Sequence, residues 1–366
     1  MAWISEENKA LLAKEGMEPG QTLTYDSVVQ LTKKYPWLEF EDILTIVKYV
    51  DEDHSLDIMN MYCYHATKLE SVQSAFEFAS SYRNYNLLLA LLDKHQHDDL
   101  LTQWCQVYEL VSTLYHPCLN YRDILSGSEQ LLACIKSKTL RVKLKILRFS
   151  SYYNLKQYKM AYTLALEKAD ALKSLQPGYI KSSFAAKIAS NLAIIHYNAE
   201  SNLEKAEELI LSTIVNPASQ EYILANVHQI LGQILIFSNF EKSKQHLLTL
   251  INLYQKLKFS PADVIKNNDL PFLHNVHQKY FPLDEDMDIE ERAHQYIIRK
   301  QFDKALTLLD LAEQQNGKNK FNLFYRAMAT DNYHIYKEAL HFAMMDGEII
   351  YSKWMFNKFE KKYLIK

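Results

Sequence analysis

One short polar stretch, KHQHDDL, contains residue types that bind metal ions. Its candidates are His95, His97, Asp98 and Asp99. Two histidines two residues apart point to different faces of a helix, whereas a helical zinc pair needs a spacing of four. We therefore interpret the stretch as a solvated helix end, and we predict neither a metal ion nor another cofactor for the chain.

Motifs for covalent or phosphate chemistry are missing from the sequence. We find no P-loop, no nucleophile elbow, no H-E-x-x-H and no dinucleotide fingerprint. The chain has only 7 glycines in 366 residues, too few to make a glycine-rich phosphate loop a reasonable expectation. The sequence thus predicts a protein that is not an enzyme.

A run of cations without an intervening acid, IKSKTLRVKLKILR, is a candidate contact for nucleic-acid phosphates or for an acidic partner. The side chains that would make this contact are Lys136, Lys138, Arg141, Lys143 and Lys145. The alternative is a solvated helix face whose aliphatic stems lie on the core.

Amide side chains form a second candidate site. Asn191 and Asn198 are seven residues apart and so share one helical face. The first helix of the following pair carries Asn226, His228, Gln229 and Gln233. Because a primary amide both donates and accepts hydrogen bonds, such a group could hold the backbone of an extended peptide. The alternative is a set of solvent-facing or helix-terminal amides.

The C-terminal stretch YSKWMFNKFEKKYLIK is unusually apolar for a final helix. Its large residues are Trp354, Met355, Phe356, Phe359, Tyr363 and Leu364. Because the last helix of a repeat array should have a polar outer face, these side chains need a partner surface. We interpret them as a dimerisation surface, and capping of the preceding helix pair is the alternative.

The elements that would position these residues follow from a recurrent unit, a bulky residue three positions before a small one. The five examples are Tyr158/Ala161, Leu203/Ala206, Phe240/Ser243, Phe302/Ala305 and Tyr336/Ala339. Each unit opens the second helix of a predicted pair, where the bulky side chain would fill the turn and the small one would let the next helix approach. Degenerate helix pairs near 34 residues are typical of tetratricopeptide-like repeats.

The fold predicted from this pattern is all-α, a tetratricopeptide-like helical-repeat solenoid with a small N-terminal helical region. We predict an N-terminal region at 1–55, a repeat domain at 56–345 and a capping or dimerisation helix at 346–366. The sequence contains no signal peptide and no apolar run long enough to cross a bilayer. We therefore expect a protein of the host bacterial cytoplasm with no membrane partner.

Three stretches, IMNMYCYHATKLESVQSAFEFA, GQILIFSNFEKSKQHLL and MDIEERAHQYIIRKQFDKALTLLD, resemble AimR. AimR is the arbitrium peptide receptor family of temperate phages, within the peptide-sensing regulators that include Rap, PlcR and NprR. The resemblance implies an all-helical homodimer whose groove binds a short communication peptide. Without peptide the family activates transcription that favours lysis, and bound peptide favours lysogeny.

Site residues also follow from the resemblance. Asn198 and Asn319 would match asparagines of the groove, and Gln233 stands where the family has an asparagine near the peptide C-terminus. Asp346 lies within a residue of an acid that pairs with a basic peptide side chain. Tyr222 replaces an arginine that clamps the peptide carboxylate, and its hydroxyl offers only one neutral hydrogen bond. Either His228 takes over this task, or the peptide differs, or the affinity is low.

The front of the chain differs from the family, which carries an N-terminal helix-turn-helix. Residues 1–53 contain five lysines against eleven acids, a net charge of −6, the opposite of what a DNA-binding region needs. This makes DNA binding doubtful and keeps an alternative open, a Rap-like protein that binds and inhibits a protein partner. An unrelated tetratricopeptide adaptor is the third reading.

Overall fold

The structure is a computed structural model of the chain. It describes residues 4–116, 119–198, 202–214, 221–256, 261–345 and 349–363. Within these residues the regular elements are helices and no strand occurs, which confirms the predicted all-α class. The chain divides into two compact units: unit 1 comprises residues 1–189 and 212–220, and unit 2 comprises residues 190–211 and 221–366.

The described residues before position 215 form twelve α-helices and one 3-10 turn at Thr113–Tyr115. The helices are α1 (Glu6–Glu15), α2 (Tyr25–Lys34), α3 (Phe40–Val50), α4 (Ser55–His65), α5 (Leu69–Ser81), α6 (Tyr85–His95), α7 (Thr102–Ser112), α8 (Tyr121–Cys134), α9 (Lys138–Asn154), α10 (Tyr158–Lys173), α11 (Tyr179–Asn198) and α12 (Leu203–Ile214).

Local sequence signals set the ends of the first two helices. The Ser5 hydroxyl accepts a hydrogen bond from the backbone N–H of Asn8, and Gly16 ends α1 in the left-handed conformation at φ 66°. The Thr24 hydroxyl caps α2 by accepting from the N–H of Ser27. These ends are therefore set by residues within three or four positions of the cap.

A single hydrophobic core fills unit 1. Leu12 of α1 and Val47 of α3 lie in the same buried cluster as Phe76 of α5 and Leu144 of α9. The first three helices thus share their core with the helices that follow. The bounds 1–55, 56–345 and 346–366 stay predictions.

After residue 220 the described chain forms nine further α-helices. They are α13 (Glu221–Leu235), α14 (Phe240–Lys256), α15 (Pro261–Val264), α16 (Leu270–Val276), α17 (Ile289–Ile298), α18 (Phe302–Asn316), α19 (Lys320–Thr330), α20 (Tyr333–Met345) and α21 (Ile349–Tyr363). A π-helical turn at Ile265–Asp269 joins α15 to α16. The described chain between α14 and α17 thus contains short helical pieces.

The recurrent bulky-x-x-small units stand at the starts of second helices. α10, α12, α14 and α18 begin at the bulky residue of the unit, whereas α20 begins three residues earlier, at Tyr333. The small residues of all five units are 0% exposed: Ala161, Ala206, Ser243, Ala305 and Ala339. The predicted close approach at the small residue is therefore confirmed.

The exposure of the bulky residue varies among the five bulky-x-x-small examples. Tyr336 is 2% exposed, but Phe302 is 42% exposed. A bulky residue at this position is thus not always a plug for the turn.

The aromatic face of α21 is covered by its own chain. Trp354 is 9% exposed, Met355 0% and Phe359 5%. The Trp354 ring lies 4.9 Å from that of Phe324, and the Tyr363 hydroxyl donates to an Asp331 carboxylate oxygen at 2.6 Å. Trp354, Met355 and Phe359 are thus buried by their own chain, as the capping alternative expects, and the dimer surface stays a prediction.

Two members of the predicted dimer surface are not part of that buried face. Phe356 remains 46% exposed. Leu364 lies outside the described residues. Any contact with a second copy through α21 must therefore use its outer side.

Candidate functional site

A stripe of amides lies along α13 in unit 2. Asn226, Gln229 and Gln233 are half-buried, and their spacing of three and four places them on one helical face. Buried apolar residues such as Ile223 and Ile230 anchor the helix in the unit. Within the described residues, none of the three amide side chains makes a hydrogen bond. The stripe therefore offers free donors and acceptors to a ligand.

α11 is tied to α13 beside this stripe. The Tyr197 hydroxyl donates to the backbone carbonyl of Gln233 at 3.1 Å, and Tyr197 is 1% exposed. Asn191 lies half-buried two turns before the end of α11. The bond fixes the end of α11 against the end of α13.

His228 does not belong to the amide stripe. Its position on α13 directs it to α14, where its Nδ1 lies 3.0 Å from Nδ1 of His246. Burial, and then the charge of His246, lowers the pKa of His228. The sequence-based prediction grouped His228 with the amides because they share a helix. It did not consider the angle about the helix axis, which places His228 on a different face.

Asn319 performs a structural task. Its side-chain oxygen accepts from the N–H groups of Phe321 and Asn322 at 2.8 and 3.0 Å and so caps α19. Its amide nitrogen donates to Glu290 Oε1 at 2.7 Å. Both ends of the side chain predicted to contact a peptide are thus engaged.

Three of the predicted site residues cannot be placed in this geometry. The side chains of Asn198 and Tyr222, and the whole of Asp346, lie outside the part of the molecule that the structure describes. Their assignment stays a prediction.

The predicted basic surface on α9 is interrupted by one buried lysine. Lys143 is 3% exposed and donates to Glu77 Oε2 at 2.6 Å. Arg141 donates to the backbone carbonyls of Leu132 and Ile135, at the end of α8. Lys143 thus neutralises a buried acid and is not available for the predicted contact, whereas the exposed Arg141 satisfies helix-end carbonyls. The role of the other cations stays a prediction.

The other three cations of that set behave differently. Lys136 and Lys138 are exposed, and Lys145 is half-buried. Two exposed lysines at the start of one helix are a small footprint for a nucleic acid, which takes several phosphate contacts to bind.

The sequence analysis missed a buried polar cluster in unit 1, centred on Glu77 of α5. The Glu77 carboxylate accepts from Lys143 and Lys187 at 2.6 Å each, and from Tyr108 at 2.7 Å. It also accepts from the Ser183 hydroxyl at 2.7 Å. Although burial acts to raise it, the two lysine charges hold the pKa of Glu77 well below its usual range. The signal was a lone acid inside the apolar run SAFEFAS.

A second missed cluster lies in unit 2 around Glu291 of α17. Its carboxyl accepts from the Asn275 amide and from the Tyr325 hydroxyl, both at 2.8 Å. Burial raises the pKa of Glu291 to about 8. Nδ1 of His294 is 3.9 Å from the carboxyl, and burial lowers the pKa of this histidine to about 3.

No described helix is long and apolar enough to cross a membrane. In the same residues, no group of three or more histidine, cysteine, aspartate or glutamate side chains is arranged to hold a metal ion. The stretch at His95 and His97 ends α6, and His97 is exposed.

Comparisons with known proteins agree with the fold. A family model described as AimR transcriptional regulator-like matches residues 55–361. The solved structure of selenomethionine phAimR superposes with a TM-score of 0.70 at 17% identity, covering 88% of this chain and 85% of that one. The structure of phAimR with ligand gives a TM-score of 0.64 at 17% identity, covering 89% and 98%. No curated protein sequence matches the chain.

Proposed function

Because the chain belongs to the AimR transcriptional regulator-like family, we propose that it is a receptor for a short communication peptide. In this role it regulates transcription in the lysis–lysogeny decision of a temperate phage, within the cytoplasm of the host. The observation that carries the proposal is the family match across 55–361, together with the fold shared with phAimR in a ligand complex.

The proposed peptide site is the amide stripe of α13 with Asn191 of α11. Amides can hydrogen-bond to the N–H and C=O groups of an extended peptide whatever its side chains, so they suit a ligand held by its backbone. Asn198, Tyr222 and Asp346 are retained in the proposed site on the strength of the family resemblance. Asn319 supports the site by setting the start of α19.

The output of the receptor rests on differential binding. A peptide changes the activity only if it binds one conformation more tightly than another. We propose a homodimer whose contact uses the outer side of α21, where Phe356 is 46% exposed. DNA contact through α9 is not part of the proposal, because Lys143 is buried.

Thermal denaturation with and without peptide tests the proposal. The probes are synthetic peptides copied from the C-terminus of any small secreted reading frame encoded next to the gene, with a scrambled peptide as control. At about 100 times its dissociation constant, a ligand stabilises the fold by roughly 2.7 kcal/mol. A saturable rise in Tm with the native peptide alone supports the receptor. The same Tm with both peptides contradicts it.

A substitution in the amide stripe of α13 tests whether the peptide binds there. Gln229→Ala removes one amide from the middle of the stripe while leaving the apolar face of α13 intact. We expect weaker peptide binding at unchanged Tm without peptide. As a matched control, Gln314→Ala changes an exposed glutamine of α18 in the same unit and should leave binding unchanged.

A further inference from the structure

Two histidine side chains, one on α13 and one on α14, lie close together and are not part of the amide stripe. His228 Nδ1 and His246 Nδ1 face each other at 3.0 Å, with ring centroids 5.2 Å apart and ring planes inclined by 42°. Both side chains are half-buried. Two nitrogens of the same kind converge here from neighbouring helices in unit 2.

The separation is close to what two ligands of one metal ion require. Zinc binds imidazole nitrogen at about 2.0–2.1 Å, and a tetrahedral angle between two such bonds places the nitrogens about 3.3 Å apart. The two Nδ1 atoms therefore need to separate by only about 0.3 Å to share an ion. A shift of this size lies within the range of small rotations about the side-chain bonds.

The protonation state also suits ligation. A histidine binds metal through its neutral imidazole. Burial, and then the charge of Lys242, lowers the pKa of His246, while the charge of Glu207 opposes this. Burial also lowers the pKa of His228. In the 3.0 Å contact one Nδ1 donates its proton to the other Nδ1, so a metal ion would replace this proton, and both rings would then bind as neutral imidazoles with the proton on Nε2.

We propose that His228 Nδ1 and His246 Nδ1 together bind a divalent transition-metal ion of the zinc class, joining α13 to α14. Water completes the coordination, since the described residues supply no group of three ligands. Glu207 on α12 is exposed, and its charge acts on His246. The proposal does not depend on peptide binding.

Calorimetric titration of the full chain with Zn²⁺, after removal of metal by a chelator, tests the site. We expect one saturable event per chain with a dissociation constant below about 1 mM, lost in both His228→Gln and His246→Gln. The matched control is His341→Gln, which changes an exposed histidine of α20 in the same unit and should leave the event unchanged.

A spectroscopic measurement separates this site from binding to thiols. Cu²⁺ bound by the pair should show hyperfine coupling to two nitrogens in its electron paramagnetic resonance spectrum, because imidazole nitrogens are favoured copper ligands. Loss of this coupling in either histidine variant supports the proposal. Zinc binding of equal strength in wild type and both variants, or no saturable binding at all, overturns it.

Discussion

The two units of this molecule each bury a glutamate, and they treat it in opposite ways. Glu77 in unit 1 lies between two lysines and stays ionised, since their charges hold its pKa below the usual range. Glu291 in unit 2 has an amide and a phenol as hydrogen-bond donors, and burial raises its pKa to about 8. Hydrogen bonds from neutral groups do not offset the cost of burying a charge, whereas cations do.

The surroundings of each acid explain why the two solutions are stable. Around Glu77, burial lowers the pKa of Lys143 to about 8 and the charge of Glu77 opposes this, so each charge depends on the other. Around Glu291, Gln295 donates to the Asn275 oxygen at 2.7 Å and accepts from the Arg299 guanidinium at 3.2 Å. Lysines thus bind the buried acid of unit 1 directly, whereas Asn275 and Tyr325, the hydrogen-bond donors to the acid of unit 2, are neutral.

The largest expected effect comes from Glu77→Gln. The change leaves the buried ammonium of Lys143 without its counter-charge, which we expect to cost about 3–5 kcal/mol in the free energy of unfolding. Urea denaturation measures the loss. The double variant Glu77→Gln/Lys143→Met should recover part of it, because the second change removes the uncompensated charge. A loss below about 1 kcal/mol would show that the cluster contributes little.

The next effect is a dependence on pH that the two acids should show with opposite sign. The folded-state pKa of Glu291 is raised from 4.5 to about 8, so its stabilising contribution is complete below pH 4.5 and is lost as pH rises through 8. Linkage gives a loss of about 1.4 kcal/mol between about pH 7 and pH 9. Denaturation in Glu291→Gln should lack this fall, because the amide is neutral at every pH.

Glu77 provides the contrasting case. Its folded-state pKa is lowered, so its contribution is complete above the unfolded value and is lost as pH falls toward the folded one. Burial lowers the pKa of Lys143 to about 8, so this lysine titrates in the same pH window with the opposite sign. The fall caused by Glu291 is therefore measured as the difference in pH dependence between wild type and Glu291→Gln. If Glu291→Gln retains the full fall, another group titrates.

A smaller effect distinguishes how tightly helices pack in the two units. A Cβ at Gly232 of α13 would lie 2.9 Å from Leu247 Cδ2 and 3.1 Å from its Cγ, and Leu247 is 0% exposed. A Cβ at Gly127 of α8 would lie 2.9 Å from Leu110 Cδ1, but Leu110 is only half-buried and can turn away. Gly232→Ala should destabilise the fold by about 1–2 kcal/mol through overpacking.

Gly127→Ala is the matched variant. We expect a neutral to slightly stabilising change, up to about 1 kcal/mol, because alanine favours a helix over glycine. Tm values for the two variants measure the difference. Equal destabilisation of both would show that the Leu110 side chain is as rigid as that of Leu247.

The smallest effect concerns two helix caps. Asn319→Ala removes the cap of α19 and the amide bond to Glu290, and we expect a cost of about 1 kcal/mol. Asn120→Ala removes a cap of α8, where the exposed Asn120 accepts from the N–H of Arg122 at 3.0 Å. Its cost should be nearer about 0.5 kcal/mol because water can replace the bond. Denaturation without peptide measures both losses in the free energy of unfolding. Equal losses for Asn319→Ala and Asn120→Ala would contradict the expected difference between the two caps.

Much of the helical organisation could be predicted because it depends on neighbours in sequence. Gly16 ends α1 and Thr24 starts α2 through bonds that span a few residues. The buried small residues, such as Ala305, follow from a three-residue spacing that any helix imposes. Such features need no knowledge of the rest of the chain.

The candidate site was less predictable because the direction of a side chain depends on its angle about the helix axis and on the helices packed beside it. Counting along α13 grouped His228 with Gln229, yet adjacent helical residues point about 100° apart, and His228 meets His246 of the next helix. The alternating cations of α9 likewise gave no sign that Lys143 would be buried while Lys138 stayed exposed.

The sequence by itself determined the all-helical fold, the starts of most second helices, and the similarity to a family of peptide-responsive regulators. Only the tertiary structure decided which polar residues are structural. Glu77 finds Lys143 and Lys187 at separations of 66 and 110 residues, and Trp354 packs on Phe324. Burial and charge pairing are properties of the assembled core, so a residue's role depends on neighbours that only folding supplies.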